Sequence, residues 1–253
     1  MSMQAVLYIG HGSRSREGVE EAIQFIDQCR RNINLKIQEL CFLELAKPSI
    51  TEGIESCVKK GATRIAVVPI LLLTAVHAKK DIPYELEQAK SKYPQIEFIY
   101  GSPIGIHPKL IDCLFDRLTE RASENFEDAK ILVVGRGSSD PDVKRDLTEI
   151  ARQFEKKYAL PKVHICFLYG ASPTFDEALW DLIKGEKKQI YILPYLLFSG
   201  LLMNGIKRKI EEANDGSKQI ILCETLGHHS AVPKILSERI DELLHYKEKQ
   251  WVI

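Results

Sequence analysis

The sequence lacks several features that mark common classes of protein. It has no net charge, because 35 Lys and Arg side chains balance 35 Asp and Glu side chains. A nucleic-acid-binding or anionic-membrane surface would need a basic excess, so neither partner is expected. No basic segment followed by an apolar stretch opens the chain, and its longest apolar runs, such as residues 65–76, are too short to cross a bilayer. These absences predict a cytoplasmic protein.

Closely spaced cysteines are also missing, although the chain has six cysteines. None forms a C-x-x-C pair, so a zinc cluster is not expected, and the cysteines are typical of reduced core residues. The glycine-rich loops lack the third glycine of a dinucleotide fingerprint and the Gly-Lys-Ser/Thr of a P-loop. Neither of these two nucleotide-binding motifs is therefore present.

What the sequence does contain is an internal repeat. The apolar run ending in Gly10-His11-Gly12-Ser13 returns as the run ending in Gly135-Arg136-Gly137-Ser138, a shift of 125 residues (135 − 10 = 125). Cys41-Phe42-Leu43 returns as Cys166-Phe167-Leu168 at the same shift. Agreement of this kind over separate blocks indicates a tandem duplication.

Each half alternates short apolar runs with amphipathic segments of helical length. Strands that are apolar almost throughout are typical of a parallel sheet covered on both faces. We therefore predict an α/β fold with two similar, Rossmann-like parallel-sheet domains, residues 1–124 and 125–253. In the first domain, the third helix is expected near Pro83–Tyr93, with Pro83 in its first turn, and a helix at Lys109–Ala122 is expected to close the unit. A linker is predicted at Ser123–Asp128, and only residues 246–253 resemble a tail.

Three polar residues of the first half have no counterpart in the second half. The pairs, all at the shift of 125, are His11 with Arg136, Glu44 with Tyr169, and His77 with Leu202. Each of these positions follows a predicted strand. The carboxyl ends of parallel strands share one edge of a sheet, so we expect the two histidines and the glutamate to converge there.

The residue types allow two kinds of chemistry. Two imidazoles and one carboxylate suit a divalent metal such as Fe(II) or Co(II), with coordination positions left open. The same groups can act as bases, because histidine titrates near neutral pH. Taken singly, His77 reads as an edge histidine, Glu44 as a solvated carboxylate and His11 as the cap of a turn. Together, at equivalent strand ends, they favour a functional site.

Hydrogen-bond donors surround the same strand ends. The glycine loops of both halves follow strands and precede helices, where backbone N–H groups can hold an anion, although the glycines could equally serve only to tighten the turns. An anionic ligand bearing carboxylates would fit the donors, while solvated surface charge explains the lysines equally well. The candidate substrate-binding residues are Arg14, Lys79, Lys80, Arg136, Ser138 and Ser139.

The remaining histidines are less informative. His107 and the pair His228-His229 occupy matching loops of the two halves, so we expect a scaffold or general binding role there. His164 lies in a predicted strand and His245 on the last predicted helix, which indicates structural or exposed positions.

These blocks resemble the class II tetrapyrrole chelatases, and among them most closely the bacillus-type sirohydrochlorin ferrochelatases of sirohaem biosynthesis. The resemblance covers nearly the whole chain, and the segment around His77 is its most specific part. It implies two similar α/β domains facing each other across a cleft. It also implies that His11 and His77 are catalytic and handle both the metal and the pyrrole protons, with Glu44 as the third metal ligand. The motifs that carry it are residues 10–14, 41–44, 69–83 and 135–140.

The implied activity is that of a lyase that inserts Fe(II) into sirohydrochlorin, a planar macrocycle bearing several carboxylates. The divalent metal is then a substrate, no cofactor is bound permanently, and the chain is expected to be a monomer or weak homodimer. Relatives that insert cobalt or nickel leave the metal open. A carrier of metal or tetrapyrrole without turnover is an alternative. Phosphoryl transfer with His11 as nucleophile is a third, weakened because no arginine directly precedes His11.

Overall fold

The computed structural model describes residues 3–121 and 126–245. Residues 123–125 of the predicted linker, the boundary between residues 124 and 125, and the predicted tail at 246–253 lie outside these ranges. By their contacts, the described residues divide into two compact units. The first unit contains the residues up to Gly105 and those from Pro233 onward, and the second contains those from Ile106 to Val232.

The first unit is built on a four-stranded parallel sheet. Its strands are β1 (Gln4–Gly10), β2 (Ile37–Phe42), β3 (Arg64–Pro69) and β4 (Glu97–Tyr100). They are arranged in the order β2-β1-β3-β4, with β1 and β3 in the middle. Every residue of β1 after Gln4 is buried, which explains why the strand is apolar on both faces. The connecting helices are α1 (Arg16–Asn32), α2 (Ile50–Lys59) and α3 (Ile82–Lys92).

The second unit repeats this plan with a second four-stranded parallel sheet. Its helices are α4 (Pro108–Thr119), α5 (Pro141–Tyr158), α6 (Phe175–Lys184) and α7 (Gly200–Ala213). Its strands are β5 (Ala129–Gly135), β6 (Val163–Phe167), β7 (Gln189–Tyr195) and β8 (Gln219–Leu222). The order β6-β5-β7-β8 matches that of the first sheet strand for strand. The predicted α/β duplication is confirmed.

Equivalent helices begin with the same local device in both repeats. The helix α2 starts with a capping box, in which the Ser49 side chain and Glu52 each bond the backbone N–H of the other. Thr174 and Glu177 form the same box at the start of α6. These reciprocal bonds satisfy backbone donors that the first turn of a helix leaves open. A cis peptide bond precedes both Pro48 and Pro173.

The helix α3 has Pro83 in its first turn, as predicted, but an additional turn precedes it. A π-helical turn, His77–Asp81, leads directly into α3, so the helical segment begins before Pro83. Proline is favoured in the first turn of a helix, so Pro83 marks the start of α3 but gives no sign of the π turn before it. The added turn carries His77, one of the candidate ligands.

The grouping of the closing helices by contacts differs from the predicted one. The helix α4 belongs to the second unit, and α8 (Ala231–His245), from Pro233 onward, belongs to the first. The ring of Phe115 on α4 stacks on Tyr158 of α5, with ring centroids 3.8 Å apart. On α8, the Ser237 hydroxyl accepts a hydrogen bond of 3.4 Å from the Asn32 side chain. An apolar helix face predicts burial, but two closely similar sheets give it no preference in the sequence pattern.

The cysteines and the helices agree with the expectations from composition. All six cysteines are buried and free of disulfide bonds. Burial raises the pKa of the Cys57 thiol to about 12, so it stays protonated at neutral pH. Among residues 3–121 and 126–245, no helix is long and apolar enough to cross a bilayer.

Candidate metal centre

The candidate centre lies in the first unit, just beyond the carboxyl ends of β1, β2 and β3. Parallel pairing continues past the ends of the first two strands: the Leu43 N–H donates to the Gly10 carbonyl at 2.9 Å, and the Glu44 N–H donates to the His11 carbonyl at 3.1 Å. This pairing fixes the backbone of His11 beside that of Glu44. His77 follows the end of β3 and begins the π turn. The expected convergence of three strand ends is therefore present.

Gly12 allows this close approach of the two loops. Its φ of +94° lies in the left-handed region, which side-chain-bearing residues rarely adopt. A Cβ atom at Gly12 would lie 1.7 Å from the Glu44 carbonyl oxygen. The second repeat has the same arrangement, because a Cβ atom at Gly137 would lie 1.8 Å from the Tyr169 carbonyl oxygen. The glycine loop is thus a shared scaffold feature that serves the ligand set only in the first repeat.

The three side chains have the separations of a metal-ligand set. One potential ligand atom from each of His11, Glu44 and His77 lies within 4.8 Å of the other two. The His11 Nε2 and Glu44 Oε1 atoms are 3.5 Å apart. Two ligands about 2.1 Å from one tetrahedral ion would lie roughly 3.4 Å apart. The rings of His11 and His77 are perpendicular, with centroids 4.9 Å apart.

The exposure of these side chains is suited to exchange with solvent or substrate. The side chains of His11, His77 and Glu44 are 21%, 28% and 46% exposed. A structural zinc site is closed by four ligands, whereas a site that acts on substrate keeps positions open. The described part of the chain supplies only these three His, Cys, Asp or Glu residues as one group of metal-ligating geometry. Three partly exposed candidate ligands would leave coordination positions of an ion open.

Asp81 is a fourth residue of the centre, and its role was missed from the sequence. Its carboxylate oxygen Oδ2 lies 2.7 Å from Nδ1 of His77, four residues earlier in the π turn. A carboxylate only accepts hydrogen bonds, so His77 Nδ1 is the donor of this bond. The ring is therefore held with a potential ligand nitrogen free of Asp81. The residue stood within the motif around His77, but the sequence alone gave it no partner.

The predicted anion-binding residues fall on both units. In the first unit, Arg14 and Lys79 are exposed, on the glycine loop and the π turn respectively. In the second unit, Arg136 and Ser139 are exposed beyond the end of β5. The Ser138 hydroxyl oxygen accepts a hydrogen bond of 3.1 Å from the Asp140 N–H, as its counterpart Ser13 does from Ser15. Contact of any of these residues with substrate stays a prediction.

A second constellation of reactive residue types lies in the second unit. The Cys113 Sγ atom is 3.2 Å from Nδ1 of His229, whose Nε2 is 3.0 Å from the Asp116 carboxylate. The order of groups resembles nucleophile, base and orienting acid. Cys113, however, is fully buried, and this burial raises its thiol pKa to about 12. These three side chains therefore have a structural role, in which their contacts connect α4 to the loop before α8.

The other histidines have the scaffold roles expected of them. His107 Nδ1 accepts a hydrogen bond from the Lys109 N–H at the start of α4. His229 Nδ1 accepts one from the Ala231 N–H at the start of α8. His164 lies on β6, where burial lowers its pKa. The contacts of His107 and His229 agree with a scaffold role, and a general binding role of these loops stays a prediction.

One known protein family matches the sequence at two places along the chain. The family described as CbiX matches residues 5–121 and again residues 130–243. The two matches coincide with the two sequence repeats, although the compact units exchange their closing helices. The family pattern therefore describes a single repeat, and this chain carries it twice.

Similar proteins include two curated chelatases and one solved structure. A sirohydrochlorin ferrochelatase of Priestia megaterium is 48% identical over 98% of this chain and 94% of its own length. A sirohydrochlorin cobaltochelatase of the same organism is 37% identical over 98% of this chain and 82% of its own length. The structure of SirB from Bacillus subtilis with Fe3+ is 41% identical and superposes with a TM-score of 0.89, covering 100% of this chain and 99% of that one. With a family match to both repeats and relatives similar along nearly their whole length, the chain belongs to the CbiX family.

Proposed function

We propose that this protein is a sirohydrochlorin chelatase that inserts Fe(II) into the macrocycle to make sirohaem. The observation that carries the proposal is the set of three partly exposed ligands, His11, Glu44 and His77, at the ends of three adjacent strands. The ferrochelatase name of a relative 48% identical over 98% of the chain supports the choice of reaction. The metal ion is a substrate here, and no permanently bound cofactor is proposed.

The ligand set suits delivery of an ion better than storage. Imidazole and carboxylate are ligands of moderate strength for Fe(II), and soft thiolates that would retain a metal tightly are not part of the set. Four closed ligands would saturate a tetrahedral ion, whereas three leave a position for a macrocycle nitrogen. The site can thus hold the ion and still present it to the substrate.

The same side chains can handle the protons of the reaction. Insertion of a divalent ion releases two protons from the pyrrole nitrogens, and these need acceptors close to the metal. A neutral imidazole accepts one proton, and histidine titrates in the physiological range. We propose His11 and His77 as the catalytic residues, with Glu44 as a metal ligand and a further proton acceptor. The 3.5 Å between His11 Nε2 and Glu44 Oε1 allows a proton to pass directly between them after a small shift of either side chain.

Substrate contacts, oligomeric state and cellular location complete the proposal. Arg14 and Lys79 of the first unit, and Arg136, Ser138 and Ser139 of the second, are proposed to bind the carboxylates of the macrocycle, because charged and hydroxyl donors suit carboxylate groups. We propose a monomer or weak homodimer. A cytoplasmic location is supported by six free cysteines, which are typical of a reducing compartment.

Cobalt insertion is the second candidate activity. It is favoured by the cobaltochelatase of Priestia megaterium, which is 37% identical to this chain over 98% of its length. Imidazole and carboxylate ligands accept Co(II) as readily as Fe(II), so the residues themselves do not separate the two metals. Nickel insertion rests on the same ligand chemistry alone.

An anaerobic turnover assay tests the proposal. The visible spectrum of sirohydrochlorin is followed with Fe(II), Co(II) or Ni(II), with and without protein at one hundredth of the substrate concentration. Many turnovers per chain with Fe(II) as the fastest metal are expected. His11→Ala and His77→Ala should each reduce the protein-dependent rate more than 100-fold, because each removes a ligand and a base. His245→Ala, on the exposed end of α8, is the matched histidine control and should keep the full rate.

Each alternative gives a different result in this assay. A spectral change that stops at one equivalent per chain would identify a carrier, and full activity in both histidine variants would remove the site from the reaction. A faster reaction with Co(II) would assign the protein to cobalt. Acid-labile phosphate on His11 after incubation with a phosphoryl donor would support phosphoryl transfer instead.

A further inference from the structure

The π turn is an insertion that only the first repeat contains. At the start of the turn, the buried residues Ala78 and Met203 are related by the shift of 125 (203 − 78 = 125). After it, the core residues Ile82 and Ile206 are related by a shift of 124 (206 − 82 = 124). The first repeat therefore has one extra residue between these positions. A π turn is what one added residue produces in an α-helix, and such turns are frequent at functional sites.

The hydrogen bonds of the turn show how the extra residue is accommodated. The Ile82 N–H donates to the His77 carbonyl five residues earlier, the spacing that defines a π turn. The next bond of this pattern would run from residue 83 to the Ala78 carbonyl, but Pro83 has no N–H. The Tyr100 hydroxyl donates to that carbonyl instead, at 2.9 Å. A residue of β4 thus supplies the hydrogen bond that Pro83 cannot donate.

The second repeat has none of these features at the equivalent positions. Its helix α7 is α-helical from Gly200 to Ala213. From the strand register, Tyr100 corresponds to Leu222, because Val67 pairs with Tyr100 and Ile192 pairs with Leu222 (192 − 67 = 125). The three residues Lys79, Lys80 and Asp81 face only Asn204 and Gly205 there. The acidic residue is therefore present only in the repeat that carries His77.

The turn places Asp81 directly on His77. A π turn takes more residues per turn than the 3.6 of an α-helix, so residues four apart lie nearly above one another. The resulting distance of 2.7 Å between His77 Nδ1 and Asp81 Oδ2 is that of a charge-assisted hydrogen bond. The side chains of His77 and Asp81 are 28% and 48% exposed.

We propose that Asp81 is a positioning residue, which the inserted π turn holds on His77 Nδ1 so that Nε2 carries the lone pair offered to the metal. This inference rests on the proposed function in taking His77 as a metal ligand. Histidines that bind metals usually donate their other ring N–H to a carboxylate or carbonyl, which fixes the tautomer and the ring orientation. A free imidazole would divide its proton between the two nitrogens, and only the tautomer protonated on Nδ1 could bind the ion through Nε2. By accepting a hydrogen bond from Nδ1, Asp81 keeps the proton on that nitrogen before the metal binds.

The first test reads the tautomer without metal or substrate. In ¹⁵N-labelled protein at alkaline pH, long-range ¹H–¹⁵N correlation spectra distinguish the protonated from the unprotonated ring nitrogen of His77. We expect the proton on Nδ1 in the wild-type chain and a population shifted towards Nε2 in Asp81→Ala. Glu87→Gln, which removes one exposed carboxylate from the same helical segment, should leave the spectrum of His77 unchanged. A proton on Nε2 in the wild-type chain would overturn the proposal.

The second test measures the affinity for Co(II) alone, by titration of the apoprotein. Loss of such a partner typically weakens metal binding 10- to 100-fold, so the dissociation constant of Asp81→Ala should rise by this factor. Asp81→Asn should give an intermediate value, and Glu87→Gln should match the wild-type chain. An unchanged dissociation constant in Asp81→Ala, with its tautomer also unchanged, would refute the role of Asp81. Metal binding that depends on Asp81 in a protein without turnover would instead refute the chelatase proposal alone.

Discussion

The two repeats share a backbone plan but differ in the side chains at its functional edge. In both repeats, the glycine after the first strand lies in the left-handed region and admits the loop after the second strand. On that common frame the first repeat places His11 and Glu44, whereas the second places Arg136 and Tyr169. The backbone bonds are the same, since the Tyr169 N–H donates to the Arg136 carbonyl at 3.0 Å. A shared scaffold can therefore be separated from the chemistry within one molecule.

The residues that replace Glu44 and His77 in the second repeat differ in their burial. Tyr169 is 62% exposed at the position equivalent to Glu44, so it is not a core residue that folding requires. Leu202, in contrast, packs against the core of the second sheet at the position equivalent to His77. At the position of His77, the second repeat therefore has a residue that packs against its core, whereas at the position of Glu44 it has an exposed one. The scaffold by itself does not demand the ligand set.

The largest effect is expected when the first repeat receives the residues of the second. The triple variant His11→Arg, Glu44→Tyr and His77→Leu should lose metal binding more than 100-fold and lose all turnover, because no ligand remains. Its melting temperature should change by only a few degrees, because the second repeat carries Arg136 and Tyr169 on an equivalent backbone and the third position, His77, is partly exposed. Calorimetric titration with Co(II) and thermal unfolding by circular dichroism measure the two quantities.

The reciprocal exchange sharpens the same comparison. Arg136→His, Tyr169→Glu and Leu202→His place the three ligand types in the second repeat, where α7 lacks the π turn. We expect this set to bind Co(II) at least 10-fold more weakly than the native centre, because Leu202 lies on a regular helix without the Asp81 partner. Equal affinity of both sets would mean that the π turn contributes nothing to the site. Unfolding of the first triple variant would mean that the ligands also serve the fold.

Much of the fold follows from the sequence for a physical reason. Strands in a parallel sheet are buried on both faces, so an uninterrupted apolar run such as Ile65–Val68 can be assigned to a strand without an alignment. The closing helices could not be assigned in the same way, because their buried faces are alike and both sheets accept one. Contacts between individual side chains, such as the stacking of Phe115 on Tyr158, decide which unit each closing helix joins. Patterns of polarity do not carry that information.

The site was predictable to the extent that the repeats differ at equal spacing. His11, Glu44 and His77 emerged because the shift of 125 holds at all three positions. Asp81 did not, because the inserted residue changes the shift to 124 and hides which positions correspond. The change of shift itself was a usable signal, since Ile82 and Leu86 match Ile206 and Ile210 only after it is allowed for. The hydrogen bond to His77 still needed the structure.

A smaller effect is expected from the two glycines that admit the neighbouring loops. Gly12→Ala and Gly137→Ala should each lower stability by about 1–3 kcal/mol, because both place a side chain in a left-handed backbone against a carbonyl oxygen. Hydrogen exchange measured by mass spectrometry should localise each loss of protection to the repeat that is changed. Only Gly12→Ala should also weaken Co(II) binding, since its Cβ atom would displace Glu44. Equal loss of binding in both variants would show that the two repeats do not act separately.

The smallest effect concerns the residue after Glu44. Leu45 has a φ of 63° and Gly170, its counterpart, has a φ of 66°. A left-handed conformation costs a side-chain-bearing residue about 1–2 kcal/mol, while glycine loses about 0.5–1 kcal/mol more entropy on folding. Leu45→Gly should therefore raise the stability by up to about 1 kcal/mol, as measured by urea unfolding.

The same variant tests whether the strain at Leu45 serves the metal centre. Residues held in such conformations cluster at functional sites, where surrounding structure maintains them. Glycine would widen the range of backbone angles open to the residue next to Glu44, so Leu45→Gly should weaken Co(II) binding by a few-fold while it stabilises the fold. Gly170→Ala is the opposite control, because its Cβ atom would lie 2.8 Å from the Ser138 carbonyl carbon and should destabilise the second unit without changing the affinity for Co(II). If Leu45→Gly is more stable and binds Co(II) as tightly as the wild-type chain, the strain at Leu45 has no part in holding Glu44.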